Sequence, residues 1–147
     1  MINLMVLRPG LRGVALAACV MFASPVFAEK VSFKADLKAS EEVPPNDSKA
    51  TGTVTATYDS ASKKLTWKGN YSGLTGPATM AHFHGPAEPG KNAGVAVPIT
   101  PSASPFENSA NLTDAQAADL MAGRWYVNVH TAAHPGGEIR GQLVKGM

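Results

Sequence analysis

The sequence has little cysteine, little net charge and no long hydrophobic run. Its 147 residues include one cysteine, Cys19, so no disulfide can form within the chain. The formal net charge is only +2 at pH 7, which gives no basic surplus for holding nucleic acid or an anionic membrane by bulk electrostatics. Neither a phosphate-cradling glycine motif nor the nucleophile elbow of serine hydrolases occurs, so neither kind of site is indicated.

Residues 1–28 have the layout of a secretory signal peptide. Arg8 and Arg12 precede an apolar run at 14–22, and small residues follow it. This run is well short of the roughly 20 residues that a membrane-spanning helix needs. We therefore expect no membrane span, removal of the leader, and a periplasmic or secreted domain of residues 29–147.

An earlier cleavage position is the alternative. The stretch Leu16-Ala17-Ala18-Cys19 resembles a lipoprotein box, which would leave Cys19 lipidated and the protein tethered to a membrane. The chain stays apolar beyond Cys19, which favours the later cleavage. That cleavage removes Arg8, Arg12 and Cys19 together. It leaves 11 of the 13 basic residues against 11 acidic residues, and no thiol for metal binding or catalysis.

Alternating apolar and polar residues predict a domain of short β-strands. Residues 31–39 place Val31, Phe33 and Leu37 on one side and polar residues on the other, which is typical of a half-buried strand. The same reasoning predicts strands at 31–39, 52–58, 64–71, 78–84, 95–97, 124–131 and 138–144. These strands and the turns between them predict an all-β fold, an antiparallel Greek-key β-sandwich like that of immunoglobulin domains.

Two segments depart from this pattern. Residues 111–123 predict one short helix, in which Thr113 and Gln116 form a capping box and Gly123 ends the helix. The segment 85–109 is rich in glycine, proline, alanine and serine and predicts a long loop. A loop of this length in a small domain is usually functional or mobile.

The four histidines lie in two short motifs. His82 and His84 belong to a predicted strand, and His130 and His134 stand at and just beyond the end of a later one. Side chains at i and i+2 of a strand point the same way roughly 6.5–7 Å apart, close enough for two imidazoles to bind one ion. If the two strands are neighbours, the histidines can form one metal site of three or four nitrogens, with His134 as the fourth ligand. Otherwise they are ordinary packing and surface residues.

Imidazole ligands suit Cu(II), Zn(II) and Ni(II), and the affinity order of divalent metals places copper first. We therefore predict a copper ion, with zinc as the second choice.

Met80 lies two residues before His82 and either adds a thioether suited to Cu(I) or fills a gap in the core. Arg140 can steer an anion and Glu138 can orient a histidine, or the two can form an exposed pair.

Several stretches together resemble the CHRD domain, a family first named from the vertebrate protein chordin and widespread in exported bacterial proteins. The matching stretches are Glu41-Glu42-Val43-Pro44-Pro45, Gly52, Gly73-Leu74, Ala81-His82-Phe83-His84-Gly85, Leu112-Thr113 with the helix, 126–131 and 135–143. The resemblance covers nearly all of residues 29–147. It implies the fold more than the activity, because the family is defined by its motifs more clearly than by a function.

A more distant likeness concerns the order of the candidate ligands. His82, His84, His130 and then Arg140 resemble the copper ligands and active-site arginine of copper-zinc superoxide dismutase, itself a Greek-key sandwich. That enzyme also has zinc ligands in a loop and a disulfide, whereas 85–109 contains no His, Asp or Cys. The likeness therefore implies copper without a dismutase-like zinc site and argues against efficient dismutation.

Three functions remain open from the sequence. The first, which we adopt as the prediction, is a periplasmic protein that binds copper through His82, His84, His130 and His134 and stores, buffers or delivers it, with another periplasmic protein as its partner. The second is a dismutase-type redox enzyme that uses the same ligands and Arg140. The third is a metal-free interaction or adhesion module that presents the loop 85–109. No catalytic residue is assigned.

Overall fold

The computed structural model describes residues 28–146, so the predicted leader lies outside the described residues apart from its last position. These residues form nine strands and one α-helix. The strands are β1 Lys30–Lys38, β2 Thr51–Asp59, β3 Lys64–Ser72, β4 Ala78–His84, β5 Val95–Pro98, β6 Phe106–Asn111, β7 Tyr126–Thr131, β8 Ile139–Gln142 and β9 Val144–Lys145. The helix is α1 Asp114–Met121. No helix in the part described is long and apolar enough to cross a bilayer.

Hydrogen bonds link the strands of residues 28–146 into one antiparallel sheet. Its order is β5-β4-β7-β8-β1-β2-β3-β6, and β9 pairs with β1. The rings of Trp67 on β3 and Phe83 on β4 meet edge to face, 5.1 Å apart, although four strands separate β3 from β4 in this order. The sheet therefore curls over itself into a nearly closed, barrel-like sandwich. The predicted antiparallel all-β sandwich with one short helix is confirmed.

Two predicted boundaries were wrong. Residues 106–111 form strand β6, paired with β3, where the sequence predicted loop and the start of a helix. Only Phe106 of β6 is buried, so the polar remainder carries no period of two, and pairing with β3 decides the structure. The helix begins at Asp114 behind the Thr113–Gln116 capping box, which forms as predicted.

Glu138 is a fully buried carboxylate just before β8. It accepts hydrogen bonds from the hydroxyls of Ser48 (2.6 Å), Thr131 (2.6 Å) and Thr75 (2.8 Å) and from the Thr75 amide (2.9 Å). Burial raises the pKa of Glu138, but the hydrogen bonds outweigh it and lower the pKa from 4.5 to about 2. Glu138 therefore links the β1–β2 connection, through Ser48, and the β3–β4 connection, through Thr75, to Thr131 at the end of β7. Neither predicted role, orienting a histidine or forming an exposed pair, is correct.

Because its folded-state pKa lies below 4.5, ionised Glu138 stabilises the fold above about pH 4.5, and this contribution is lost as pH falls toward 2. We predict that Glu138→Gln lowers the free energy of unfolding at pH 7 by about 2 kcal/mol, since the amide loses charge-assisted hydrogen bonds. The pH dependence below about pH 5 should also flatten. Urea unfolding, followed by tryptophan fluorescence across pH, measures both effects. Glu107→Gln, at an exposed position on β6, is the control. A wild-type stability that does not change between neutral and acid pH would contradict this account.

Candidate metal centre

The two histidine motifs meet because β4 and β7 are adjacent antiparallel strands. In their register Met80 lies opposite His130, His82 opposite Asn128, and His84 opposite Tyr126. Ala81 and Phe83 on β4 point into the core, so the alternating residues of that strand point to the outer face. His82 is therefore a diagonal neighbour of His130, within reach of its ring.

Three imidazoles converge on this outer face. One ring nitrogen from each of His82, His84 and His130 lies within 4.8 Å of those of the other two. Nδ1 of His82 is 3.2 Å from Nε2 of His130. Two nitrogens bound at about 2.0 Å to one tetrahedral ion would lie about 3.3 Å apart, so these two need almost no movement to share an ion.

His134 lies outside this group, and the structure does not bring it in as a fourth ligand. It stands in the turn after β7, where its amide donates to Thr131 O (3.1 Å) and its carbonyl accepts from Gly137 N (3.0 Å). Its partly exposed side chain lines a separate surface groove together with Pro44 and Pro135. The tight turn fixes this position, which places the residue beyond the edge of the cluster.

Backbone carbonyls orient two of the rings. Nδ1 of His130 is 2.9 Å from Pro135 O, which only an N–H can satisfy, so Nε2 keeps its lone pair toward His82. Nδ1 of His84 is 3.0 Å from Ala93 O, and its Nε2 lies 2.9 Å from Asn128 Oδ1. Both neighbouring atoms are acceptors, so a neutral ring can donate to only one of them. If Nδ1–H donates to Ala93 O, the lone pair of Nε2 can bind an ion once Asn128 Oδ1 moves aside.

The first part of the predicted long loop, residues 85–94, covers the other end of the site. Gln142 donates to Ala87 O (3.1 Å), and the Tyr126 hydroxyl contacts both backbone groups of Ala93. As a result every residue of β7 is buried, on both faces of the strand. The alternation of apolar and polar residues along β7 gives no sign of this cover, because the loop that supplies it is distant in sequence.

Arg140 anchors this loop to the sheet through hydrogen bonds. Its guanidinium donates to Lys91 O (2.6 Å) and Asn92 Oδ1 (2.8 Å) and lies 3.5 Å above the centre of the Tyr126 ring, and the residue is 2 % exposed. The Tyr126 ring in turn stacks on His84 at 4.8 Å. Arg140 is therefore neither an exposed partner nor a cation that can draw an anion from solvent, and both predictions for it were wrong.

Sequence reasoning also missed two residues that support the site, Asn128 and Glu42. Asn128 had a signal, because it alternates with His130 along β7 and so shares its face. Glu42 had only its place in the family-like stretch 41–45, which does not indicate contact with the site, since it comes from the distant connection between β1 and β2. Burial raises the pKa of Glu42 to about 7 against the charge of Arg140 and hydrogen bonds with Asn128 and Val43, and within residues 28–146 its Oε1 has no hydrogen-bond partner.

The electrostatics of the cluster favour neutral imidazoles. Burial lowers the pKa of His82, and the neighbouring His130 and His84 lower it further. Burial also lowers the pKa of His84, although hydrogen bonds with Ala93 and Asn128 oppose the effect. A neutral imidazole is the form that binds a metal.

We predict that proton NMR titration of the chelator-treated protein gives both His82 and His84 pKa values below 6.5. In His130→Asn the pKa of His82 should rise toward 6.5 without reaching it, because burial is the larger cause and remains. His134→Ala, outside the cluster, should leave the His82 value unchanged. A wild-type His82 that titrates at or above 6.5 would refute the inferred environment.

Comparison with known proteins shows which family the chain belongs to. The family model described as the CHRD domain matches residues 33–143, which is most of the chain and includes the three clustered histidines. Searches of curated proteins and of solved structures returned no significant match, so the likeness to copper-zinc superoxide dismutase depends on residue order alone. On the family match, which agrees with the motifs of the sequence, the chain belongs to the CHRD domain family.

Proposed function

We propose that this protein is an exported, periplasmic metal-binding protein that holds copper through His82, His84 and His130. The supporting observation is the convergence of three ring nitrogens within 4.8 Å, on two strands whose register fixes them there. The chain offers neither a thiol nor a carboxylate within this group, so imidazole is its ligand chemistry. That chemistry suits Cu(II) first and Zn(II) second among the common divalent ions.

The surroundings of the three rings suit metal binding. Metal-ligating histidines usually donate their second N–H to a carbonyl, a carboxylate or water, which fixes the ring and the tautomer. The bonds from His130 to Pro135 O and from His84 to Ala93 O are of this kind. His82 is only partly buried, whereas His84 and His130 are 8 % and 6 % exposed, so an ion has a solvent side and a protein side.

We favour storage, buffering or delivery of copper over redox turnover. A dismutase-type mechanism needs a cation that attracts superoxide, and the loop occupies Arg140. The partly exposed His82 leaves one side of the site accessible to a periplasmic partner that gives or takes the ion. The predicted leader provides the route to that compartment.

We predict that the purified protein, after treatment with a chelator, binds one Cu(II) and, more weakly, one Zn(II). His82→Ala should weaken both by at least about 100-fold, because loss of an outer-shell partner alone commonly costs 10–100-fold. His82 is the best choice for substitution because it is the least buried of the three. Isothermal titration with a competing chelator measures the affinities, and metal-dependent thermal stabilisation checks them independently.

The matched control is His134→Ala, which removes an imidazole outside the cluster and should leave both affinities unchanged. If His82→Ala binds both metals as the wild type does, the proposed site is wrong. If His134→Ala weakens binding as strongly as His82→Ala, then His134 is a ligand that moves on binding, and the three-histidine site is wrong.

A further inference from the structure

Met80 is an exposed apolar side chain at the open side of the histidine cluster. It lies in the middle of β4, two residues before His82 and directly opposite His130, with 48 % of its surface exposed. The expectation that it fills a gap in the core is therefore wrong. An unburied methionine inside a strand gains little stability from its position, so its sulfur is free to serve another purpose.

The backbone places Met80 next to both histidines whose nitrogens need least movement to share an ion. Cross-strand partners have Cα atoms about 4.5–5.5 Å apart, and strand residues at i and i+2 share a face. Met80 is the cross-strand partner of His130 and the same-face neighbour of His82. A register irregularity separates Ala78 from Met80, and bulges of this kind re-aim side chains beside functional sites.

Met80 and His82 also share a surface groove. The loop 85–94 closes the side of His84, whereas Met80 and His82 line a groove of about 380 Å³ together with Pro98 and the turn that follows it. Both side chains are therefore accessible from solvent at the same place.

We infer that Met80 is a further ligand of this site and that its thioether adapts the site to Cu(I). Thioether sulfur is a soft ligand that selects Cu(I), whereas imidazole suits the divalent ions Cu(II) and Zn(II). The flexible methionine side chain can bind or release the ion without moving the strand. The inference depends on the proposed copper-binding function and adds to it which oxidation state the site retains.

The test is Met80→Leu, which removes the sulfur and keeps the size and apolar character of the side chain. We expect its Cu(I) affinity, measured without oxygen by competition with a chromophoric Cu(I) chelator, to fall about tenfold or more. Affinities for Cu(II) and Zn(II) should stay within about threefold of wild type, because the imidazoles remain. Met121→Leu, in helix α1 and packed against the core, is the matched control and should change none of the three.

X-ray absorption of the copper-loaded proteins gives a second readout. The wild type and Met121→Leu should show a sulfur neighbour of Cu(I), and Met80→Leu should show light atoms only. Unchanged Cu(I) affinity in Met80→Leu, with no sulfur neighbour in the wild type, would overturn the role of Met80 and leave the three-histidine site intact. A wild-type protein that binds neither Cu(II), Zn(II) nor Cu(I) would overturn both proposals.

Discussion

The pairing of β4 with β7 is the constraint on which the site depends. The side-chain period of a strand is two, so a slip of one residue would turn a whole strand over. Here such a slip would send the histidines of β4 into the core and Phe83 into solvent. The buried contact of Phe83 with Trp67 opposes this change, and so does the burial of Val127 and Val129 on β7. The hydrophobic core thus fixes the register, and the register brings the imidazoles together.

A second layer lies over the same strands and makes the site asymmetric. Arg140, Tyr126 and His84 stack in sequence beneath the loop 85–94, and the carbonyl of Ala93 reaches the last of them. A buried guanidinium costs desolvation, which its hydrogen bonds to the loop and its contact with the ring offset. The loop 85–94 encloses His84 but does not cover His82. The His84 end of the cluster is therefore buried, while the His82 end is partly exposed to solvent.

Most of the fold could be predicted from sequence, because alternating burial along β1, β2 and β3 follows directly from the hydrophobic core. Strand β6 could not, since its polar residues carry no periodic signal and its pairing with β3 is a tertiary effect. The site shows the same difference between local sequence patterns and tertiary contacts. The two histidine motifs were visible as local patterns, whereas the exclusion of His134 and the burial of Arg140 depend on a turn and a loop. Distant contacts such as that of Glu42 with Asn128 leave no mark in local sequence.

The hydrogen bonds within the cluster argue for an ion that enters and leaves a folded protein. Without an ion, His82 pairs with His130, His130 donates to Pro135 O, and His84 lies against Ala93 O and Asn128 Oδ1. Release of an ion would therefore leave the N–H groups of His130 and His84 bonded to backbone carbonyls, although the second nitrogen of a neutral His84 gains no hydrogen bond from Asn128 Oδ1. Structural zinc sites behave differently, because their domains commonly unfold without the metal. A cluster whose N–H groups keep backbone partners without an ion, on a sheet whose stability comes from its own core, is consistent with the reversible metal binding proposed above.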